Sequence, residues 1–105
     1  MTKILIVEDE TNLALAYKTI LEKHGYEVQV ANNGEEALGL VANGVPVLIL
    51  LDMKMPKMNG LEFLRRLEKE APKNGVIVFS NMDTQADIDE AFRLGAKRYL
   101  LKSWA

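Results

Sequence analysis

The 105-residue chain contains no cysteine and a single histidine, His24. The first absence removes disulfide scaffolds, thiolate metal sites and cysteine nucleophiles together. The second removes any metal centre built from several imidazoles. Nor is there an excess of positive charge. Thirteen Lys and Arg against fifteen Asp and Glu leave a net charge of −2, so nothing marks an electropositive footprint for nucleic acid. Long apolar runs are also missing: the longest are about five to seven residues, against the ~20 that a membrane-spanning helix needs. Glu8, Asp9 and Glu10 follow the first apolar run directly, which is not the pattern of a signal peptide. Internal repeats, linkers and low-complexity stretches do not occur. What is present is a chain with 49% apolar residues, enough for one core. It reads as a small, soluble, cytoplasmic domain whose chemistry must come from carboxylates, lysines and hydroxyls.

Short apolar runs alternate with helical patterns. Lys3–Val7 (KILIV), Val45–Leu51 (VPVLILL) and Gly75–Phe79 (GVIVF) are β-rich and apolar almost throughout, as suits strands covered on both faces of a parallel sheet. Tyr26–Val30 alternates, so it reads as a half-exposed strand near an edge, and Arg98–Leu101 is a short fifth strand. Between them, Leu13, Ala16, Tyr17, Ile20 and Leu21 form one apolar stripe at helical spacing. Asn33-Gly34 opens a second helix carrying Ala37, Leu38 and Val41, closed by Asn43-Gly44. A third carries Leu61, Leu64 and Leu67 and stops at Pro72. Asp83 or Thr84 caps a fourth, with Ile88, Ala91, Phe92 and Leu94 on its stripe and Gly95 at its end. Strand-helix alternation with short loops predicts a doubly wound α/β fold with right-handed crossovers.

In such sheets ligands bind beyond the carboxyl ends of the strands. Glu8 and Asp9 follow the first run, Asp52 the third, Ser80 the fourth and Lys102 the fifth. Each has an ordinary reading on its own. The acidic run suits a solvated loop that favours the next helix N-terminus. Asp52 suits a strand-end cap or a carboxylate of a nucleotide site, Ser80 a turn hydroxyl, and Lys102 a snorkelling surface lysine. Together they put up to three negative charges, a hydroxyl donor and a cation on one edge. The carboxylates repel one another until a hard cation neutralises them, and all-oxygen ligation suits Mg²⁺. Metal, acceptor carboxylate, donor and cation are the parts that stabilise charge on a transferring phosphoryl group.

These residues resemble the receiver domain of two-component response regulators. The resemblance covers essentially the whole chain. It is carried by KILIVEDE, ANNGEEAL, VIVFS and LGAKRYLLK, and most specifically by VPVLILLDMKMPKMNGLEFLRRL. It implies a flavodoxin-like (CheY-like) sheet of five parallel strands in the order 2-1-3-4-5. It implies Asp52 as phosphoacceptor, charged by a histidine kinase, a phosphotransfer protein or a small donor. Asp9 and Glu8, with Asp52 and the Met53 backbone carbonyl, would hold Mg²⁺. Ser80 and Lys102 would contact phosphoryl oxygens, and Tyr99 would be the switching aromatic, moving inward as Ser80 is drawn towards the phosphate. Its ordinary alternative is an edge-strand aromatic packed on the fourth helix. Pro56 and Gly60 would shape the loop beside the site, Gly60 through a permissive backbone.

The sequence departs from the family at several points. Ser103 stands where the family usually has proline after the lysine, which favours a trans bond and a looser hold on Lys102. Asn81 stands where a very small residue is usual, and Lys54 puts a positive charge near the acceptor. Only four residues follow Leu101, so residues 1–105 read as a single receiver domain truncated after the fifth strand, lacking the fifth helix. Tyr99 and Leu100 or Leu101 would then lie on an uncovered sheet face and favour self-association or another partner. The leading expectation is a switch acting on a partner or output domain, not an enzyme, with no nucleic acid or membrane contact in this chain. Two alternatives accompany it. A degenerate or incomplete receiver would bind partners without phosphorylation. An aspartyl-phosphate phosphatase would need a second acid where Lys54 stands, and a nucleotidase would need a phosphate-binding G-x-x-x-x-G-K-[ST] loop that the sequence lacks.

Overall fold

Unbroken Ile, Leu and Val runs form strands that water reaches from neither face, and the two centres of the sheet are built from such runs. The computed structural model describes residues 3–44, 48–53, 58–67, 75–80 and 84–101, the last residue by its backbone alone. The strands are β1 (Lys3–Val7), β2 (Glu27–Ala31), β3 (Leu48–Asp52), β4 (Val76–Ser80) and β5 (Ala96–Leu101). Among the described residues they alternate with four helices, α1 (Thr11–Lys23), α2 (Gly34–Asn43), α3 (Gly60–Leu67) and α4 (Gln85–Arg93). All strand pairs are parallel, in the order β2-β1-β3-β4-β5.

That order reverses direction once, after β2. With right-handed crossovers the reversal places α1 on one face and α2, α3 and α4 on the other. The larger core lies on the three-helix face. There Leu5, Val7, Ile49, Leu51 and Val78 meet Val41 of α2, Phe63 and Leu64 of α3, and Ala91 of α4. The smaller core joins Ile4, Ile6, Val28 and Leu50 to Ala14, Tyr17 and Leu21 of α1. Among the described residues α1 alone packs on this side, and Ile77 and Phe79 of β4 are only half-buried there.

Two helical stripes differ from their sequence reading. On α1 the buried residue is Ala14, whereas Ala16 is exposed and Ile20 is 55% exposed. The helix is apolar around most of its circumference from Leu13 to Tyr17, so packing against Ile4, Ile6 and Val28 sets its rotation. On α4, Ala91 is fully buried while Phe92 is 45% exposed. Tyr99 also differs. Side chains alternate along β5, and Tyr99 is paired with Val78, which puts it on the three-helix face beside the larger core. Leu100, its neighbour, takes the other face and is 42% exposed.

The helix starts follow their capping chemistry. Asn33 accepts the Glu36 N–H at 2.8 Å and Thr84 accepts the Asp87 N–H at 3.2 Å. Charges then link α3 to α4. Glu62 pairs with Arg66 at 3.0 Å and Arg65 at 3.5 Å, and Arg65 reaches Glu90, which Arg93 also holds, at 3.7 Å. The Arg66 hydrogen bond holds the Glu62 carboxyl below its ordinary 4.5, and the Arg93 hydrogen bond does the same for Glu90. A lowered folded value means that the stabilisation is complete above about pH 4.5 and is lost as the pH falls through the folded value. Urea unfolding of wild type and the Glu62→Gln/Glu90→Gln variant is therefore expected to differ slightly at neutral pH and to converge in acid. A difference that does not shrink in acid contradicts this assignment.

Candidate functional site

β1, β3 and β4 are in register, so their carboxyl ends finish side by side. Val7 is paired with Leu51, and Asp52 with Phe79, one residue before Ser80. That register brings Glu8, Asp9 and Asp52 together: one ligand oxygen of each lies within 4.8 Å of the others. Glu8 is 3% exposed and Asp52 6%, while Asp9 is exposed. The cluster thus has a buried floor and an open side.

The backbone around Glu8 fixes its position. Its N–H donates to the Ala31 carbonyl at 3.0 Å, continuing the β1–β2 ladder one residue past the strand. Its Oε2 accepts the Glu10 N–H at 3.3 Å, which folds the β1–α1 turn around the carboxylate. Asp52 is the last residue of β3 and so is held by the sheet itself. Beneath α1, a cavity of about 10 Å³, room for roughly one water, is walled by Glu8, Asp52, Ile6, Tyr17 and Phe79. The Tyr17 and Phe79 rings in its wall stack on each other with centroids 5.5 Å apart.

Ser80 ends β4 and is fully buried. Among the described residues its hydroxyl has no hydrogen-bond partner, an uncommon condition for a buried polar atom. Met53 follows Asp52, and its carbonyl accepts the Gly60 N–H at 2.9 Å. This oxygen is therefore already engaged in closing the loop between β3 and α3, with one lone pair left. Gly60 has a reason different from backbone freedom. A Cβ there would lie 2.8 Å from the Met53 Cα, so glycine is needed for close approach. Lys102, Pro56, Lys54, Asn81 and Ser103 lie outside the described residues.

Several supporting residues escape sequence reasoning. Asn59 caps α3 by accepting the Glu62 N–H at 3.0 Å, and the Asn-x-x-Glu spacing is the signal that marks it. Met58 packs over Gly34 of α2, where a Cβ would come within 2.7 Å of its sulfur, tying the loop after Asp52 to α2. No local pattern announces such a contact.

The three carboxylates fit a hard divalent cation. They supply only oxygen donors, two are fixed by the sheet edge, and the exposed side leaves positions for water and a ligand oxygen.

Comparison with known proteins agrees with this architecture. Residues 4–105 match the family described as "Response regulator receiver domain". The chain is 37% identical over 101 residues to the chemotaxis protein CheY of Thermotoga maritima, covering 95% of this chain and 84% of that protein. It is 44% identical over 104 residues to a protein-glutamate methylesterase/protein-glutamine glutaminase of Rhodospirillum rubrum, covering 97% of this chain and 28% of that protein. With 43% covered of a transcriptional regulatory protein of Bacillus subtilis, the chain spans less than half of both these larger relatives. Among solved structures, a CheY-like receiver domain protein of Methanospirillum hungatei superposes with a TM-score of 0.94 at 32% identity, over 100% of this chain and 84% of that one. The response regulator TrrA of Thermotoga maritima, solved with Mg²⁺ and BeF, gives 0.86 at 33% identity, over 99% and 89%.

Proposed function

The chain belongs to the response regulator receiver domain family, and on that premise we propose that Asp52 accepts a phosphoryl group at a Mg²⁺ site formed with Glu8 and Asp9. The observation that supports this reading most is the convergence of three strand ends. They bring three carboxylates within 4.8 Å of one another, and a buried hydroxyl without a partner ends the neighbouring strand. Bound there, Mg²⁺ would offset the negative charge on the transferring phosphoryl oxygens.

The chain's own residues do the rest. One Asp52 carboxylate oxygen forms the new O–P bond as the donor's P–N or P–O bond breaks and its electron pair leaves with the donor. Glu8, whose carboxylate is fixed by the β1–α1 turn, and Asp9, which is exposed, would hold the cation with Asp52. The Met53 carbonyl, engaged by Gly60, adds at most its second lone pair. The Ser80 hydroxyl donates to a phosphoryl oxygen, and the Lys102 ammonium pairs with another. Drawing Ser80 towards the phosphate makes room for Tyr99, a two-state element biased by one new charged group.

The donor is a histidine kinase, a phosphotransfer protein or a small acyl phosphate. The recipient of the signal is an output domain or a separate partner, and Leu100 offers a second copy an apolar contact. The place of action is the cytoplasm, and among the described residues no helix is long and apolar enough to cross a membrane.

Thermal unfolding in a MgCl₂ titration tests the metal site. At 100 times the dissociation constant, Mg²⁺ is expected to add about 2.7 kcal/mol of stability. The Glu8→Gln/Asp9→Asn variant is expected to lose most of that gain. Equal stabilisation of both proteins would contradict the assignment.

A further inference from the structure

We infer that Phe92 of α4 is a positioning residue for Tyr99, weighting it towards the half-buried position seen here and against the inward one. This inference rests on reading Tyr99 as the switching aromatic of the Asp52 site. The Phe92 and Tyr99 rings lie with centroids 6.3 Å apart and planes at 42°, a tilted contact within the favourable range for aromatic pairs. Tyr99 faces the larger core on its inner side. Phe92 stays 45% exposed although Ala91 beside it is fully buried, so much of this large apolar ring is left in water. It sits at the margin of the buried face of α4, where it covers the Tyr99 ring.

Register gives the direction of the effect. Tyr99 is paired with Val78, and Ser80 is two residues further along β4 on the same face. The orphaned Ser80 hydroxyl is therefore on the side towards which Tyr99 would move. Movement that way draws the Tyr99 ring off Phe92. The ring contact is thus made in one state and lost in the other, and a contact of that kind shifts a two-state equilibrium by its own free energy. Movement of Tyr99 off Phe92 also uncovers the inner face of that ring, adding to the apolar surface that α4 already exposes.

The test is binding of beryllofluoride, a phosphoryl mimic, in saturating MgCl₂, measured by calorimetry on the full chain. An aromatic pair of this kind corresponds to about two- to tenfold in an equilibrium constant. Phe92→Ala is therefore expected to tighten beryllofluoride binding by about that factor, because the competent position becomes more populated. Phe92→Leu, which keeps apolar bulk without the ring, is expected to fall between it and wild type and guards against a folding defect in the alanine variant. In a Tyr99→Leu background, Phe92→Ala is expected to change nothing. Unchanged or weaker binding by Phe92→Ala in the Tyr99 protein overturns the inference, and so does an equal change in both backgrounds. If wild type fails to bind beryllofluoride with Mg²⁺, the reading of the Asp52 site fails first and takes this inference with it.

Discussion

Replacing Ser80 by alanine is expected to stabilise the unphosphorylated protein by about 1–2 kcal/mol while slowing its phosphorylation by on the order of 10²-fold. The first effect comes from a hydroxyl that is fully buried and has no partner among the described residues. A polar group in that condition keeps the cost of leaving water without a compensating hydrogen bond, about 1–3 kcal/mol. Alanine removes the oxygen, leaves a void smaller than a methyl group and fits β4 without strain. The second effect comes from the same oxygen in its other role. Removing one preplaced donor from a transition state that builds negative charge costs on the order of 10²–10³ in rate. Denaturant unfolding and acetyl phosphate kinetics on the same preparation check both halves. A variant that is less stable than wild type, or that is phosphorylated at the wild-type rate, contradicts the role given to Ser80. A site that holds an unpaired donor at a cost to the fold is an instance of function traded against stability.

Asp52→Asn is expected to abolish uptake of a phosphoryl group and to weaken the Mg²⁺ response roughly tenfold or more. Asparagine keeps the shape at the end of β3 and one neutral oxygen, but the carboxylate nucleophile is gone and the cluster of three acids becomes two. Stabilisation by MgCl₂ should then need a correspondingly higher concentration. The nearby Asp9→Asn change differs in kind. Asp9 lies on the exposed side of the cluster, so its loss should weaken the metal while leaving the nucleophile in place. Phosphorylation of Asp9→Asn is therefore expected to recover in part at high MgCl₂, and that of Asp52→Asn not at all. Recovery by Asp52→Asn would move the acceptor to another residue.

Much of this arrangement was legible in the residues themselves. KILIV and LILL have no polar interruption because both faces of β1 and β3 are covered, and the first polar group after each run falls at the carboxyl edge. That is why Glu8, Asp9 and Asp52 could be brought together from spacing alone. Capping at Asn33 and Thr84 was readable because their chemistry is local. What was not readable depends on contacts distant in sequence. The rotation of α1, with Ala14 inward and Ile20 outward, is chosen by Ile4, Ile6 and Val28, since Leu13 to Tyr17 offer an apolar face in most directions. The face taken by Tyr99 is fixed by its pairing with Val78. Gly60 looks like a flexible turn residue, yet the need is for room against the Met53 backbone. Lys102 remains an assignment from resemblance and lies outside the described residues.

The buried carboxylate ending β3 is proposed as the group that becomes phosphorylated. The most direct measurement is mass spectrometry of the full chain after acetyl phosphate and MgCl₂, with the modified residue located in peptides by reductive trapping of the acyl phosphate. One phosphoryl group per chain is expected, on Asp52, dependent on MgCl₂ and absent from Asp52→Asn. A phosphoryl group on any other residue, or none on the folded wild-type protein, would contradict it.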